Sequence, residues 1–326
     1  MRRKGVSYAK YGYLFCIPFV IVYLIFHFYP TVYTTVIGFT DLKGMGKTDF
    51  NFLENPFGNF KLIINNPSFR KSLSNTVLIW IVNFIPQILL ALLLTAWFTN
   101  NRRKIKGQGA FKVLFYMPNI MTSATIAILF STLFAYPVGP VNSLLINLGI
   151  KEAPTYFIMS KSATRGIIAF IQFWMWYGYT MIILVSGVLG INPELFEASE
   201  IDGATSRQTF FKVTLPNLRT ILLFTLVTSL VGGLNMFDIP KFLNDGGPDS
   251  STLTSNLFIY NQAFKGSYLY NRASAASLIM FLIIGICSAA IFIIMRDRDA
   301  AKLNKINKMH IKKWKKAEKE ARRMAK

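Results

Sequence analysis

Three observations predict that the chain is an all-α integral membrane protein with six membrane-spanning helices. Hydrophobic residues make up 52% and charged residues 16% of the 326 residues, and the mean hydropathy is +0.39. Six apolar segments are long enough to cross a hydrocarbon layer, since a layer of about 30 Å takes about 20 helical residues. Every acidic residue lies between these segments or at their margins. Their interiors carry no charge, as the cost of an ion in hydrocarbon requires.

The first half of the chain contains three of these segments. They cover approximately residues 11–39, 73–98 and 111–135. The first is too long for a signal peptide and no cleavage site follows it, so we expect a retained anchor with kinks at Pro18 and Pro30. Pro86 has no N–H to donate to the backbone carbonyl one turn earlier in the second segment. We therefore expect this segment to pack inside the bundle, where neighbouring helices can satisfy that carbonyl. The third segment is expected to have a kinked start at Pro118.

The second half contains the other three segments. They cover approximately residues 164–189, 219–237 and 273–295. The sixth is rich in small residues, which permits close helix approach. Turn residues predict loops at residues 40–70 and 136–163, the latter with a short helix near residues 141–148.

The distribution of Lys and Arg predicts that both termini lie in the cytoplasm. In that orientation 25 of the 36 basic residues fall on the cytoplasmic side, in agreement with the positive-inside rule. We expect a cytoplasmic N-terminus (1–10), a transmembrane domain (11–295) and a basic cytoplasmic tail (296–326). In the tail, Leu303, Ile306, His310 and Trp314 occur at near-helical spacing among lysines. The tail is therefore either an amphipathic helix on anionic lipid or a solvated disordered segment.

The net charge of +21 indicates lipid rather than nucleic acid as the polyanionic partner. Most basic residues are expected to lie on the cytoplasmic side next to the membrane, where anionic headgroups attract them. Cys16 and Cys287 lie in apolar segments without metal-ligand or disulfide spacing, so we interpret them as small apolar side chains.

The sequence shows no catalytic constellation, so we do not expect an enzyme. The only histidines are His27 and His310, at opposite ends of the chain, and there is no phosphate-binding loop or metal-ligand cluster. Transporters that couple to ions usually hold charged residues within the bilayer. The uncharged segments therefore argue against ion coupling and indicate that energy comes from another polypeptide.

The polar stretch at residues 192–218, which we call the hairpin, lies between the fourth and fifth segments. Asn192 is expected to cap a helix that ends at Gly203. A second helix is predicted over residues 204–213 and is expected to stop at Thr214-Leu215-Pro216. Four acidic residues on a cytoplasmic loop oppose the usual charge bias and indicate a specific partner. The alternative is a hairpin that only joins two spans.

The hairpin carries one set of residues at a recognisable spacing: Glu197, Ala198, Ser199, Asp202, Gly203, Val213, Leu215 and Pro216. This set resembles the E-A-A-x-x-x-G-x9-I-x-L-P loop of the permeases of binding-protein-dependent ATP-binding-cassette importers, with Ser199 in place of the second Ala and Val213 in place of Ile. In that family the loop docks on the ATPase subunit. The resemblance therefore implies a polar contact by Glu197 and a turn at Gly203.

The resemblance covers about residues 72–295, and weaker patterns in it look like the carbohydrate-uptake permeases of the maltose and glycerol-phosphate type. These patterns are F-D-I-P-K-F at 237–242, D-G-G-P at 245–248 and small residues at 273–276. The resemblance implies half of a translocation pathway for a sugar or oligosaccharide, in a prokaryotic cytoplasmic membrane. The implied partners are a second related permease subunit, an ATPase dimer that holds ATP and Mg, and an extracytoplasmic solute-binding protein. The alternatives are a non-sugar solute such as glycerol phosphate, or a self-sufficient secondary transporter.

Amide and aromatic side chains are the candidates for contact with substrate. Gln172, Trp176 and Tyr179 recur at helical spacing and share one face of the fourth segment. Ser229, Gly233 and Asn235, on the fifth segment, are expected to oppose them, near where the resemblance places a substrate cavity. Asn83 and Gln87 on the second segment are further candidates. The alternative interpretation is ordinary helix packing together with an interfacial aromatic belt.

Overall fold

The structure is a computed structural model that describes residues 9–100, 105–295, 307–311 and 314. Residues 1–8 of the predicted N-terminus, residues 101–104 and most of the predicted basic tail lie outside this part of the chain. The main helices, labelled in chain order, are α1 (Lys10–Ile37), α2 (Gly58–Ile64), α3 (Pro67–Phe98), α4 (Gln108–Ile120), α5 (Ser123–Leu133), α6 (Pro140–Asn147), α7 (Lys161–Leu189), α8 (Pro193–Ile201), α9 (Ser206–Thr209), α10 (Arg219–Leu234), α11 (Asp238–Asn244), α12 (Ser255–Phe264) and α13 (Tyr270–Met295).

The fold is all-helical over the described residues, as predicted, apart from one isolated bridge between Thr40 and Phe52. Five helical runs are long and apolar enough to cross a membrane: α1, α3, α7, α10 with α11, and α13. The short helix predicted near residues 141–148 is present as α6. The predicted loop at residues 40–70 contains the helix α2.

The third predicted segment, which was expected to have a kinked start at Pro118, consists of two helices, α4 and α5. Helices α4 and α5 are bent by 88° at a short break, and the spans number six only if this pair counts as one. Met121 at the break has extended backbone angles, φ −75° and ψ 146°. Pro118 lacks an N–H in the last turn of α4, which weakens the helix just before the break.

The chain divides into two compact units. The first comprises residues up to Trp80 together with Ser123–Ile168 and Gly233–Gly285. Buried amides connect its segments: Asn59 Nδ2 donates to the carbonyls of Gly38 at 3.0 Å and Thr40 at 2.8 Å. Asn271 Nδ2 donates to Asn59 Oδ1 at 3.3 Å. These bonds satisfy backbone and amide groups that would otherwise be costly to bury.

The second unit comprises Ile81–Thr122, Ala169–Gly232 and the described residues beyond Gly285. Its core, which we call the apolar cluster, consists of buried side chains from α3, α7 and the residue before α10: Ala91, Leu94, Phe98, Met181, Leu184, Val185, Val188 and Leu218. Elsewhere in the unit α7 approaches the α4 backbone very closely. A Cβ at Gly178 would overlap the carbonyl oxygen of Phe115.

We predict that Gly178→Ala lowers the unfolding temperature of the purified protein in detergent. The added methyl group forces α7 and α4 apart, and overpacking of this kind costs about 1–3 kcal/mol. The matched control is Gly166→Ala on the same helix, where an added Cβ meets no atom within 4 Å. The control should match or exceed the parent in stability, because Ala is about 1 kcal/mol better than Gly in a helix interior. Equal unfolding temperatures for the two variants would contradict the close contact.

Candidate functional site

The first arm of the hairpin has the predicted helix, cap and turn. Helix α8 begins at Pro193, and the side-chain oxygen of Asn192 accepts the Glu194 amide at 3.1 Å. Asn192 Nδ2 also donates to Glu194 Oε2 at 3.0 Å. Gly203 has a φ of +71°, in the left-handed region that favours glycine at a helix end.

The second arm differs from the prediction, because no helix end occurs at residues 214–216. Thr205 and Gln208 form a capping box that starts α9. A π-helical turn, Phe210–Thr214, follows, and then a short helical segment, Leu215–Asn217. Pro216 lies in the first turn of that segment, where its missing N–H has little cost. The chain therefore continues in helical form towards α10.

Two sets of contacts fix the hairpin. Ser199 is 7% exposed, donates to the Phe196 carbonyl at 2.8 Å and lies 3.3 Å from Thr209 Oγ1 in the second arm. Phe196 packs against the apolar cluster, and Leu218, at the end of the hairpin, is a fully buried member of that cluster. The hairpin is thus held to α3 and α7 by apolar packing.

The acidic residues of the hairpin lie on its surface. Glu194, Glu197, Glu200 and Asp202 are all exposed, and within the described ranges no ion pair joins them to a basic residue. Of the other predicted coupling residues, Ala198 and Pro216 are exposed and Leu215 is half-buried. The surface is therefore negatively charged and free of ion pairs with described residues.

Glu197 and Glu200 share one side of α8, as their spacing predicts. Both line a cavity of about 550 Å³, whose other lining residues include Thr99 and Asn100 after α3 and Ile105 before α4. Lys112 and Gln108 contribute the facing polar groups, and Phe98 is one of the apolar walls.

The substrate candidates of the second unit fall into a buried group and a more accessible group. Gln87 is 4% exposed and its Nε2 donates to Thr180 Oγ1 at 2.8 Å, while Asn83 is 5% exposed. The rings of Trp176 and Tyr179 meet edge to face with centroids 5.6 Å apart, and Trp176 is 39% exposed. Two further candidates are half-buried in the same unit: Gln172 on α7 and Ser229 on α10.

The other two candidates belong to the first unit. Gly233 faces the indole of Trp80, which a Cβ at position 233 would overlap. Asn235 is exposed, and its carbonyl accepts Asn256 Nδ2 at 2.9 Å. Close packing accounts for the glycine at position 233.

A polar network in the first unit was not among the predicted sites. Arg165, one turn inside α7, donates from Nε to the Ser251 carbonyl at 2.8 Å and from Nη2 to Asn75 Oδ1 at 2.7 Å. Asn75 Nδ2 donates in turn to the carbonyls of Ser250 at 2.8 Å and Leu253 at 3.1 Å. The one sequence signal for it is an arginine just inside an apolar segment.

The neighbouring loop that contains D-G-G-P is fixed by ion pairs. Burial opposes the charged form of the Asp245 carboxyl, but hydrogen bonds from Lys241 and Lys265 outweigh burial and lower its pKa. Lys161 lies 2.8 Å from Asp249 and lowers the pKa of that carboxyl. Both loop carboxylates are therefore held in the charged form.

The helical spans and the intervening hairpin define a multi-pass membrane protein. The chain belongs to the family of binding-protein-dependent transport system inner membrane components, whose sequence model matches residues 62–298. Members of this family are transport components, so the expectation that the chain is not an enzyme is confirmed.

Named relatives and a solved structure resemble most of the chain. The lactose transport system permease protein LacF of Rhizobium radiobacter is 31% identical over 89% of this chain and 96% of the relative. The multiple sugar-binding transport system permease protein MsmF of Streptococcus mutans is 32% identical over 88% of this chain and 96% of the relative. A chain of a bacterial ABC transporter involved in the import of the acidic polysaccharide alginate has the same fold, with a TM-score of 0.71 and 23% identity over 87% of this chain and 94% of that chain.

We predict that Asn192→Ala increases amide hydrogen exchange at the start of α8. Loss of an N-cap costs about 1 kcal/mol and exposes the Glu194 amide, so this turn should open more often. Hydrogen–deuterium exchange with mass spectrometry measures the effect on peptides that cover residues 193–201. The control Asn192→Asp keeps a capping oxygen and should retain the parent exchange rate. Unchanged exchange in Asn192→Ala would show that the cap does not stabilise the hairpin.

Proposed function

We propose that the chain is the permease subunit of an ATP-driven importer and forms half of the translocation pathway for a sugar or oligosaccharide. Family membership and relatives whose names state lactose and multiple sugars support this assignment. A non-sugar solute such as glycerol phosphate is less well supported, because neither of these two relatives is named for one.

The observation that carries the proposal is the exposed acidic face of a hairpin packed on the apolar cluster. A rigid connection from that face to α3 and α7 would transmit movement of a partner to the spans. Glu197 would make the polar contact with an ATPase subunit, and Gly203 would keep the two arms close together. A hairpin that only joined two spans would be expected to be shorter and more basic, in line with the usual charge bias of cytoplasmic loops.

The proposed complex contains a second related permease subunit and an ATPase dimer, which would hold ATP and Mg. We place both termini and the hairpin on the cytoplasmic side of a prokaryotic plasma membrane, following the distribution of Lys and Arg. A solute-binding protein would deliver the cargo from the opposite side. The family description, which names dependence on a binding protein, supports this last partner.

We assign the sugar contacts of this subunit to Trp176 and Tyr179 on α7, with Gln172 on the same face. Aromatic faces pack on the C–H surfaces of sugars, and amides bond to hydroxyl groups. The partial exposure of Trp176 supports the assignment. Asn83 and Gln87 are buried, so we assign them a supporting role rather than direct contact with the sugar.

Glu197→Lys and Gly203→Pro should each weaken ATPase attachment and ATP-dependent uptake in proteoliposomes that contain the whole importer. Proline cannot adopt the φ of +71° at position 203, so Gly203→Pro should disrupt the turn between the two arms. Loss of a charge-assisted contact costs about 1.5–3 kcal/mol, which weakens attachment by about tenfold or more. Co-purification of the ATPase subunit gives the first readout and uptake of radiolabelled sugar gives the second. Glu152→Lys, at an exposed acid outside the hairpin, is the matched control. Normal attachment and uptake in Glu197→Lys would refute coupling through this residue.

Trp176→Ala should lower sugar uptake about two- to tenfold, since an aromatic contact contributes about 0.5–1.5 kcal/mol. Assembly with the ATPase should be unaffected. Phe170→Ala removes an exposed aromatic ring from the opposite face of α7 and should leave uptake at the parent level. Uptake by Trp176→Ala equal to that control would remove this residue from the pathway.

A further inference from the structure

A second cavity flanks the hairpin on the side of α9, with a volume of about 370 Å³. One wall is the end of α3, with Leu93 and Trp97, and the other is formed by the hairpin, with Glu200, Arg207 and Phe211. We propose that this groove binds a phospholipid whose headgroup carries both a phosphate and a primary ammonium group, the chemistry of phosphatidylethanolamine. A lipid site goes beyond the proposed function.

The charges of the groove match such a headgroup. Glu200 and Arg207 line the same cavity, both are exposed, and no ion pair joins them to each other or to another described residue. The Arg207 guanidinium lies 6.0 Å from the centre of the Phe211 ring. Arginine favours phosphate because it can donate two parallel hydrogen bonds, and a carboxylate favours an ammonium group that has N–H donors.

The apolar wall of the groove provides a surface for an acyl chain. Leu93 is 62% exposed, Trp97 53% and Phe211 55%. The first two lie in the last two turns of α3, at the end of a membrane-spanning helix. Tryptophan is typical of the boundary between hydrocarbon and headgroups, because it combines an apolar ring with an N–H donor.

Other occupants fit the groove less well. An anionic lipid without an ammonium group would bring its negative charge close to Glu200. A lipid with a quaternary ammonium group has no N–H to donate to that carboxylate. A soluble partner protein would have to cover Leu93 and Trp97, which belong to a helix that crosses the membrane.

For the test, the full importer complex is reconstituted in nanodiscs that contain equal parts of phosphatidylethanolamine, phosphatidylcholine and phosphatidylglycerol. The complex is then released from the nanodiscs, and the lipids that remain bound to it are measured. Native mass spectrometry should detect phosphatidylethanolamine in about tenfold preference over the other two, as expected for one charge-assisted hydrogen bond. Glu200→Gln should lower its retention to that of phosphatidylcholine. Arg207→Gln should lower the retention of both lipids.

The control variants remove nearby charges that do not line the groove, with Glu194→Gln on α8 and Lys212→Gln on the π-helical turn. Both should retain lipid as the parent does. Equal retention of the three lipids by the parent, or parent-like lipid retention in Arg207→Gln, would overturn the proposal. Loss of ATPase subunits from Arg207→Gln with unchanged lipid would show instead that this groove contacts the partner protein.

Discussion

The packing of Phe196 and Leu218 against the apolar cluster is the interaction on which the hairpin depends. It joins α3, α7 and the hairpin into one core, in which Leu218 is fully buried. Hydrocarbon cannot drive helices together as water does, because lipid tails are as apolar as the side chains. If the hairpin lies in water, as we propose, burial of Phe196 stabilises it through the ordinary hydrophobic effect. The acidic surface is therefore presented on a fixed support.

Most of the fold could be predicted, because local rules determine where apolar helices and caps occur. The apolar segments matched five helical runs, and Asn192 and Gly203 marked the ends of α8 correctly. Pro118 predicted a kink in the third segment, but the 88° bend and its position at Met121 follow only from the backbone geometry, since the composition is apolar on both sides of the break. Pro216 was interpreted as a stop, but it lies at the start of a new helical segment after a π-helical turn.

The candidate site could be predicted only in part. Spacing alone placed Glu197 and Glu200 on one side of α8, and the structure shows them lining one cavity. Spacing could not distinguish an amide that faces a pathway from one that bonds to a neighbouring helix, as Gln87 does to Thr180. Nor could it find the partners of Arg165, because Asn75 and Ser251 are distant in sequence. Tertiary contacts decide such roles.

The central claim is that the exposed face of α8 contacts an ATPase subunit, and site-specific cross-linking tests it most directly. Cys16 and Cys287 would first be replaced by alanine, and Ala198→Cys would then provide a single exposed thiol on α8. Photo-activated cross-linking from that thiol in the assembled importer should give a covalent product with the ATPase subunit, and Lys151→Cys should give none. Absence of the product from Ala198→Cys, or an equal yield from both positions, would contradict the account.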